Sequence, residues 1–158
     1  MDATTTTPIP HPDPPITPAE DALTPIVHIG TAPTRTLSGG RMHLSGGQAT
    51  APQRHDTTET ILAILSGHLA ILTGNHMLAF HPHTRDMIYI PATLPYALVN
   101  LSHNASVLAL VFRTDPGFST DIHRMPELDQ AARARIEPLR AGHLDELMRQ
   151  RAARARRG

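Results

Sequence analysis

"GGQATAPQRHDTTETILAILSG", residues 46–67, is the stretch whose reading decides the fold. It opens on a glycine pair, passes through one histidine, His55, and reaches a carboxylate, Glu59, four residues later. It then runs into an apolar segment that stops at Gly67. Gln53 and His55 share parity, so on a strand both side chains point to one face. A histidine and a carboxylate at this spacing lay out the front half of a metal site. Gln53 stands where a second imidazole would help.

The chain around this stretch reads as short strands with turn residues between them. Ile61–Leu65 is a continuous apolar run, which predicts a strand covered on both faces. "HLAILTGNHMLAF" (68–80) holds two strands around Gly74-Asn75, a hairpin signal. "PIVHIG" (25–30), "TRTLSGGRMHLSGG" (34–47), Met87–Ile90, Ala97–Asn100 and Val107–Phe112 add further strands, and even spacing argues for an all-β sandwich or barrel. Residues 1–25, rich in Thr and Pro, are expected to form a flexible arm, disordered or loosely docked. The barrel is expected over 26–115. After Pro116 the composition shifts, and 116–158 is expected to be a helical extension with an Arg-rich tail. Leu128, Ala132 and Ile136 share one helical face, as do Leu144, Leu147 and Met148, with Pro138 and Gly142 separating two pieces.

The totals narrow the class. A chain of 158 residues suits one domain, and with aromatics at 3% its core must be aliphatic. Formal net charge is zero, so no global basic field serves nucleic acid. The 14 basic residues are all arginine, a bias of GC-rich bacterial genomes. The tail "RQRAARARRG" carries no aromatic stacking partner and reads as a solvated helix end. Absence of cysteine excludes disulfides, thiolate ligands and thiol nucleophiles. No run approaches the length of a membrane span, and the N-terminus lacks the basic start and apolar middle of a signal peptide, so a soluble cytoplasmic protein is expected.

The motifs resemble those of the cupin superfamily, small double-stranded β-helix (jelly-roll) barrels. Its first motif has the form G-x5-H-x-H-x3/4-E-x6-G. Here Gly47 opens it, Gln53 stands at the first His, His55 at the second, Glu59 at the Glu, and Gly67 closes it one residue late. Its second motif, G-D-x4-P-x-G-x2-H-x3-N, is similar to "RDMIYIPATLPYALVN" (85–100). Asp86, Pro91 and Asn100 keep register, while Arg85 and Thr93 replace the glycines and Tyr96 replaces the His. The resemblance covers about 37–115 and implies a closed barrel whose inward side chains form a pocket.

In that superfamily three His and one Glu usually hold a divalent metal. The resemblance leaves His55 and Glu59 as ligands of the usual type, with Gln53 and Tyr96 as substitutes and His43 as a further donor. One imidazole and one carboxylate make a thin shell, so the expectation is no cofactor or a weakly bound divalent metal (Zn, Fe, Ni or Mn). "HPHT" (81–84) has H-x-H form but falls at the end of the barrel away from the motif position, and His68 and His143 carry no pairing signal. Without a metal, the same positions make an acid–base set. His55 would be the general base, Glu59 its orienting carboxylate and Tyr96 the proton donor. Gln53, Arg41, His43, Tyr89 and Asn100 are the expected substrate-binding residues. Three functions stay open. The first is a small-molecule enzyme of bacterial secondary metabolism of cyclase, isomerase or dehydratase type; the second is a metal-dependent dioxygenase or lyase. The third is a non-catalytic ligand-binding or sensory protein, weakened by the lack of a helix-turn-helix pattern. The expected partners are a small-molecule substrate and a second copy in a homodimer, with no nucleic acid and no membrane.

Overall fold

The structure is a computed structural model that describes residues 16–158. A short helix α1 (Ala19–Ala22) leads into ten strands: β1 (Leu23–Val27), β2 (Ser38–Leu44), β3 (Gln53–His55), β4 (Thr60–Ser66), β5 (Leu69–Thr73), β6 (Leu78–Phe80), β7 (Met87–Ile90), β8 (Tyr96–Asn100), β9 (Val107–Arg113) and β10 (Ile122–Arg124). A 3-10 turn at Pro126–Leu128 then opens the long helix α2 (Asp129–Ala155). The strands form two five-stranded antiparallel sheets in the orders β1-β2-β9-β4-β7 and β10-β3-β8-β5-β6. No described helix is long and apolar enough to cross a membrane.

Alternation fills the space between the sheets. Met42 and Leu44 point inward from β2, Leu62 and Ile64 from β4, and Leu69 and Ile71 from β5; Leu98 comes from β8, and Val107, Ala109 and Val111 from β9. A second apolar layer lies outside the barrel. Ala70 and Leu72 of β5 and Ala97 and Val99 of β8 meet Leu128, Ala132 and Ile136 of the C-terminal segment. Strands β5 and β8 are therefore the ones covered on both faces. The same expectation for Ile61–Leu65 is corrected, because Ile61 and Leu65 are exposed: α2 covers the other sheet, and nothing described lies over the outer face of β4.

The register fixes two ends of the barrel. Ser38 and Thr60 both pair with Arg113, Ile90 pairs with Thr60, and Gln53 pairs with Tyr96, so these residues gather at one end, the mouth. Leu44 pairs with Val107, and Leu69 with Asn100, at the opposite end. Two turns carry the mark of the second motif. Arg85 (φ 79°) and Thr93 (φ 68°) stand in the left-handed region, at the positions where the superfamily pattern has glycine.

Three boundaries differ from the sequence reading. The arm expected over 1–25 is docked from Ile16 onward: Ile16 packs on the outer layer, Thr17 bridges Thr50, and β1 starts at Leu23 as an edge strand that tolerates Pro25. Residues 1–15 lie outside the described residues. The extension expected from 116 begins with β10, which pairs with β3 and belongs to the barrel. The two helical pieces are one helix of 27 residues with Pro138 inside it. Pro138 and Ala134, whose carbonyl loses its helical donor, are both exposed, so water can serve that carbonyl while buried Ile136 and Arg140 hold the helix on either side.

Candidate active site

Gln53 and His55 come from β3 and Tyr96 from the first position of β8, and the register brings all three together inside the mouth. Each is 2–3% exposed. Gln53 Nε2 donates to Tyr96 Oη at 2.8 Å, and the Tyr96 hydroxyl lies 3.3 Å from His55 Nε2. The two rings are nearly parallel, 18° apart in plane, with centroids separated by 6.1 Å.

The carboxylate that meets His55 is that of Asp121, at the foot of β10, whose Oδ1 lies 3.0 Å from His55 Nδ1. Its Oδ2 accepts from the backbone N–H groups of Thr57 (2.9 Å) and Thr58 (3.0 Å). Burial alone would raise the Asp121 carboxyl, yet the Thr57 and Thr58 donors and the His55 ring hold it well below the usual carboxylate range. Asp121 is thus ionised and accepts the Nδ1–H proton of His55. That bond fixes the tautomer and leaves the Nε2 lone pair toward Tyr96. Burial, reinforced by the Arg113 charge, lowers the His55 pKa from its ordinary 6.5 despite the Asp121 contact, so the ring is neutral at neutral pH.

Glu59 is elsewhere. The sequence reading gave it the role of holding His55, and the structure places it on the exposed outer face, where it accepts a 2.6 Å hydrogen bond from the Tyr89 hydroxyl. Thr60, Leu62 and Ile64 point inward from β4, so parity turns Glu59 outward. Tyr89, expected to bind substrate, shares that outer face. Arg41 and His43 also point out, from β2, and line a surface cleft of about 330 Å³ with Thr24, Leu65 and Leu108. Asn100 is fully buried at the far end, where its amide donates to the carbonyls of Leu44, Ser45 and Ala105 and its Oδ1 accepts from Ser102 N. It pins loops and has no donor left for a ligand. The far end also holds a pair the sequence did not signal. The rings of His68 and His143 lie 4.6 Å apart beside a cleft of about 460 Å³ that His81 and His83 also line.

The residues at the mouth do not fit the divalent metal that the fold family implies. They offer one imidazole, a phenol already hydrogen-bonded twice, an amide that presents its NH2 to that phenol, and the Asp121 carboxylate, whose two oxygens are taken by His55, Thr57 and Thr58. The motif carboxylate, Glu59, lies outside the barrel. Among the described residues no group of three or more His, Asp or Glu side chains is placed to hold a metal ion.

No protein-family model matches the sequence, and no curated protein matches it. Solved structures do. A protein with a double-stranded β-helix domain from Klebsiella pneumoniae has a TM-score of 0.54 and 14% identity, over 69% of this chain and 89% of its own. A cupin domain from Schizosaccharomyces pombe has a TM-score of 0.50 and 11% identity, over 59% of this chain and 63% of its own. Oxalate decarboxylase from Lactobacillus farciminis has a TM-score of 0.54 and 16% identity, over 67% of this chain and 34% of its own. The chain has the cupin fold, a double-stranded β-helix barrel with a C-terminal helix laid over one sheet. At these identities the likeness carries the fold and not the chemistry.

Proposed function

We propose that this chain is a small-molecule enzyme whose barrel mouth moves protons, in an isomerisation, cyclisation or dehydration. The observation that carries the reading is the hydrogen-bonded run Asp121–His55–Tyr96, with His55 and Tyr96 buried and Gln53 on its far side. Asp121 keeps a proton on Nδ1, so Nε2 of His55 is unprotonated, and it takes a proton from the substrate once the Tyr96 hydroxyl turns from it to the substrate oxygen. The imidazolium formed is stabilised by a carboxylate that stays ionised. Tyr96, held by Gln53, donates its hydrogen bond to the oxygen on which negative charge develops. Return of the proton from His55 to a different atom completes an isomerisation. Its delivery to a departing hydroxyl, lost as water, completes a dehydration. That a similar cupin-fold protein is a decarboxylase supports an enzyme in this fold without specifying which.

The test follows a panel of enolisable carbonyl compounds in heavy water by NMR. The protein is expected to exchange a carbon-bound proton in at least one of them. His55→Gln should slow that exchange by about 100- to 10,000-fold, the usual contribution of a general base. Tyr96→Phe should lower kcat more than it raises KM, since the hydroxyl acts on charge formed in the transition state. Full activity in both variants would leave a mouth that binds without catalysing.

A further inference from the structure

Arg113 is the last residue of β9 and follows Val107, Ala109 and Val111 on the inward face, so its guanidinium enters the mouth, the end of the barrel where its ladder partners Ser38 and Thr60 also lie. It is 1% exposed. A charge taken out of water is costly unless a counter-charge or a full set of acceptors meets it. Arg113 has neither. Among the described residues no carboxylate lies within ion-pair distance of it. The two acidic groups that, like Arg113, act on His55 are engaged elsewhere. Asp115 accepts from the N–H groups of Gly117 and Thr120, and Asp121 from Thr57, Thr58 and His55.

Three groups of one loop hold the guanidinium. Nη1 donates to the Phe118 carbonyl (2.6 Å) and to Ser119 Oγ (3.0 Å), and the Phe118 ring lies 4.4 Å from the guanidinium carbon. Among the described residues Arg113 Nε has no partner, nor has the buried hydroxyl of Thr60, its neighbour across the ladder. The loop itself is strained. Phe118 has φ 74°, left-handed backbone that a bulky side chain rarely adopts, and its ring fills the barrel interior against Gly40, where a Cβ would come within 2.8 Å of the ring. An arginine that served only to fasten this loop would leave a whole charge facing two neutral acceptors, both on Nη1, with no hydrogen bond from Nε or Nη2 to the described residues.

We propose that Arg113 is the anion anchor of the mouth, and that the substrate carries a carboxylate that takes over the guanidinium when Phe118 and Ser119 withdraw. This names the substrate class for the proton-transfer reading and rests on it. A carboxylate offers two coplanar oxygens for the Nε and Nη donors, and Thr60, paired with Arg113 across the ladder, carries a buried hydroxyl with no partner among the described residues. A carboxylate matches the single charge of Arg113, which a doubly charged phosphate exceeds. Withdrawal of Phe118 also opens the interior next to His55 and Tyr96, which are otherwise sealed.

The experiment measures binding without turnover. Acetate, pyruvate and benzoate are titrated against acetamide, benzamide and inorganic phosphate, following the Arg113 Nε–H resonance, assigned by its loss in Arg113→Lys. Carboxylates should bind and move that resonance, and their neutral amides should not. Arg113→Met should weaken carboxylate binding at least about tenfold, the factor that 1.4 kcal/mol represents. Phe118→Ala should tighten it about threefold or more, since no ring has to be displaced. Should Arg113→Met fail to fold, the Phe118→Ala variant and the resonance decide. Carboxylates that bind wild type and Arg113→Met alike, an Nε–H signal that never moves, binding unimproved in Phe118→Ala, or phosphate binding tighter than every carboxylate would each overturn the proposal. Carboxylate binding without any proton exchange would sink the proton relay alone.

Discussion

His55 is oriented by a carboxylate 66 residues further along the chain, and the carboxylate four residues away is not in the site. The two are separable by substitution. Asp121→Asn keeps the shape, but its amide can present N–H to Nδ1 and flip the ring to the wrong tautomer, and it removes the charge that stabilises imidazolium. Proton exchange should fall by about 100-fold or more in Asp121→Asn, while Glu59→Gln should stay within about twofold of wild type, read as kcat on the same substrate. The reverse order would restore the role that the motif position implies for Glu59. Much of this site is legible in the sequence: Gln53, His55 and Tyr96 meet because motif spacing and strand parity say so. Glu59 was legible too, since a residue one step before inward Thr60 must face out. Asp121 was not, because a lone aspartate ahead of a three-residue strand has no periodicity to announce it, and only the pairing of Ile122 with His55 delivers it. The sequence signal for Arg113 is its phase, an arginine in step with three inward apolar residues of β9.

Elements follow the same division between local pattern and tertiary cover. The strands are visible as alternation, but which of them is buried twice depends on where α2 lands, and no local pattern in Ile61–Leu65 says that the helix lies on the other sheet. Pro138 marks a break by local rules, yet Ile136 beneath the helix and Arg140, whose guanidinium meets the carbonyls of Asn100 and Gln48, hold it continuous across the proline. The second-motif turns give the sharpest element-scale prediction. Arg85 and Thr93 keep the glycine-type backbone without glycine, and both side chains are exposed, so little contact is lost on removing them. A left-handed residue with a Cβ costs roughly 1–2 kcal/mol, partly offset by the greater freedom of glycine in the unfolded chain. Arg85→Gly and Thr93→Gly should each stabilise by about 0.5–1 kcal/mol, visible as a higher midpoint in chemical denaturation with an unchanged slope. A lower midpoint in both would show that these turns are held by side-chain contacts instead.

At the scale of the whole molecule, the buried mouth should make folding stability fall with acid in two stages. Burial first, and then the Arg113 charge, lower the His55 pKa from 6.5; burial, with His68 and His81 nearby, does the same for His143. Unfolding returns both rings to 6.5, so below that value the unfolded chain binds more protons than the folded one, and stability rises with pH there. The stability these rings confer as neutral groups is therefore complete above 6.5 and is lost as pH falls from 6.5 toward their lower folded values. Asp121 acts further down. Its folded carboxyl stays ionised below the unfolded value of 3.8, so its contribution is present above 3.8 and drains away as pH falls beyond it. The stages are coupled, because a protonated His55 faces Asp121 as a cation and delays the second loss. Denaturation midpoints measured across the acid range should thus be flat above neutrality, decline below 6.5 and decline again below 3.8. His55→Gln should flatten part of the first decline, leaving the share of His143, and Asp121→Asn should shrink the second, leaving the share of Asp56 and Glu146, whose carboxyls are also held below their ordinary values. A first decline untouched by His55→Gln would mean that the ring is not held neutral by its burial, and the base assigned to the mouth would lose its electrostatic footing.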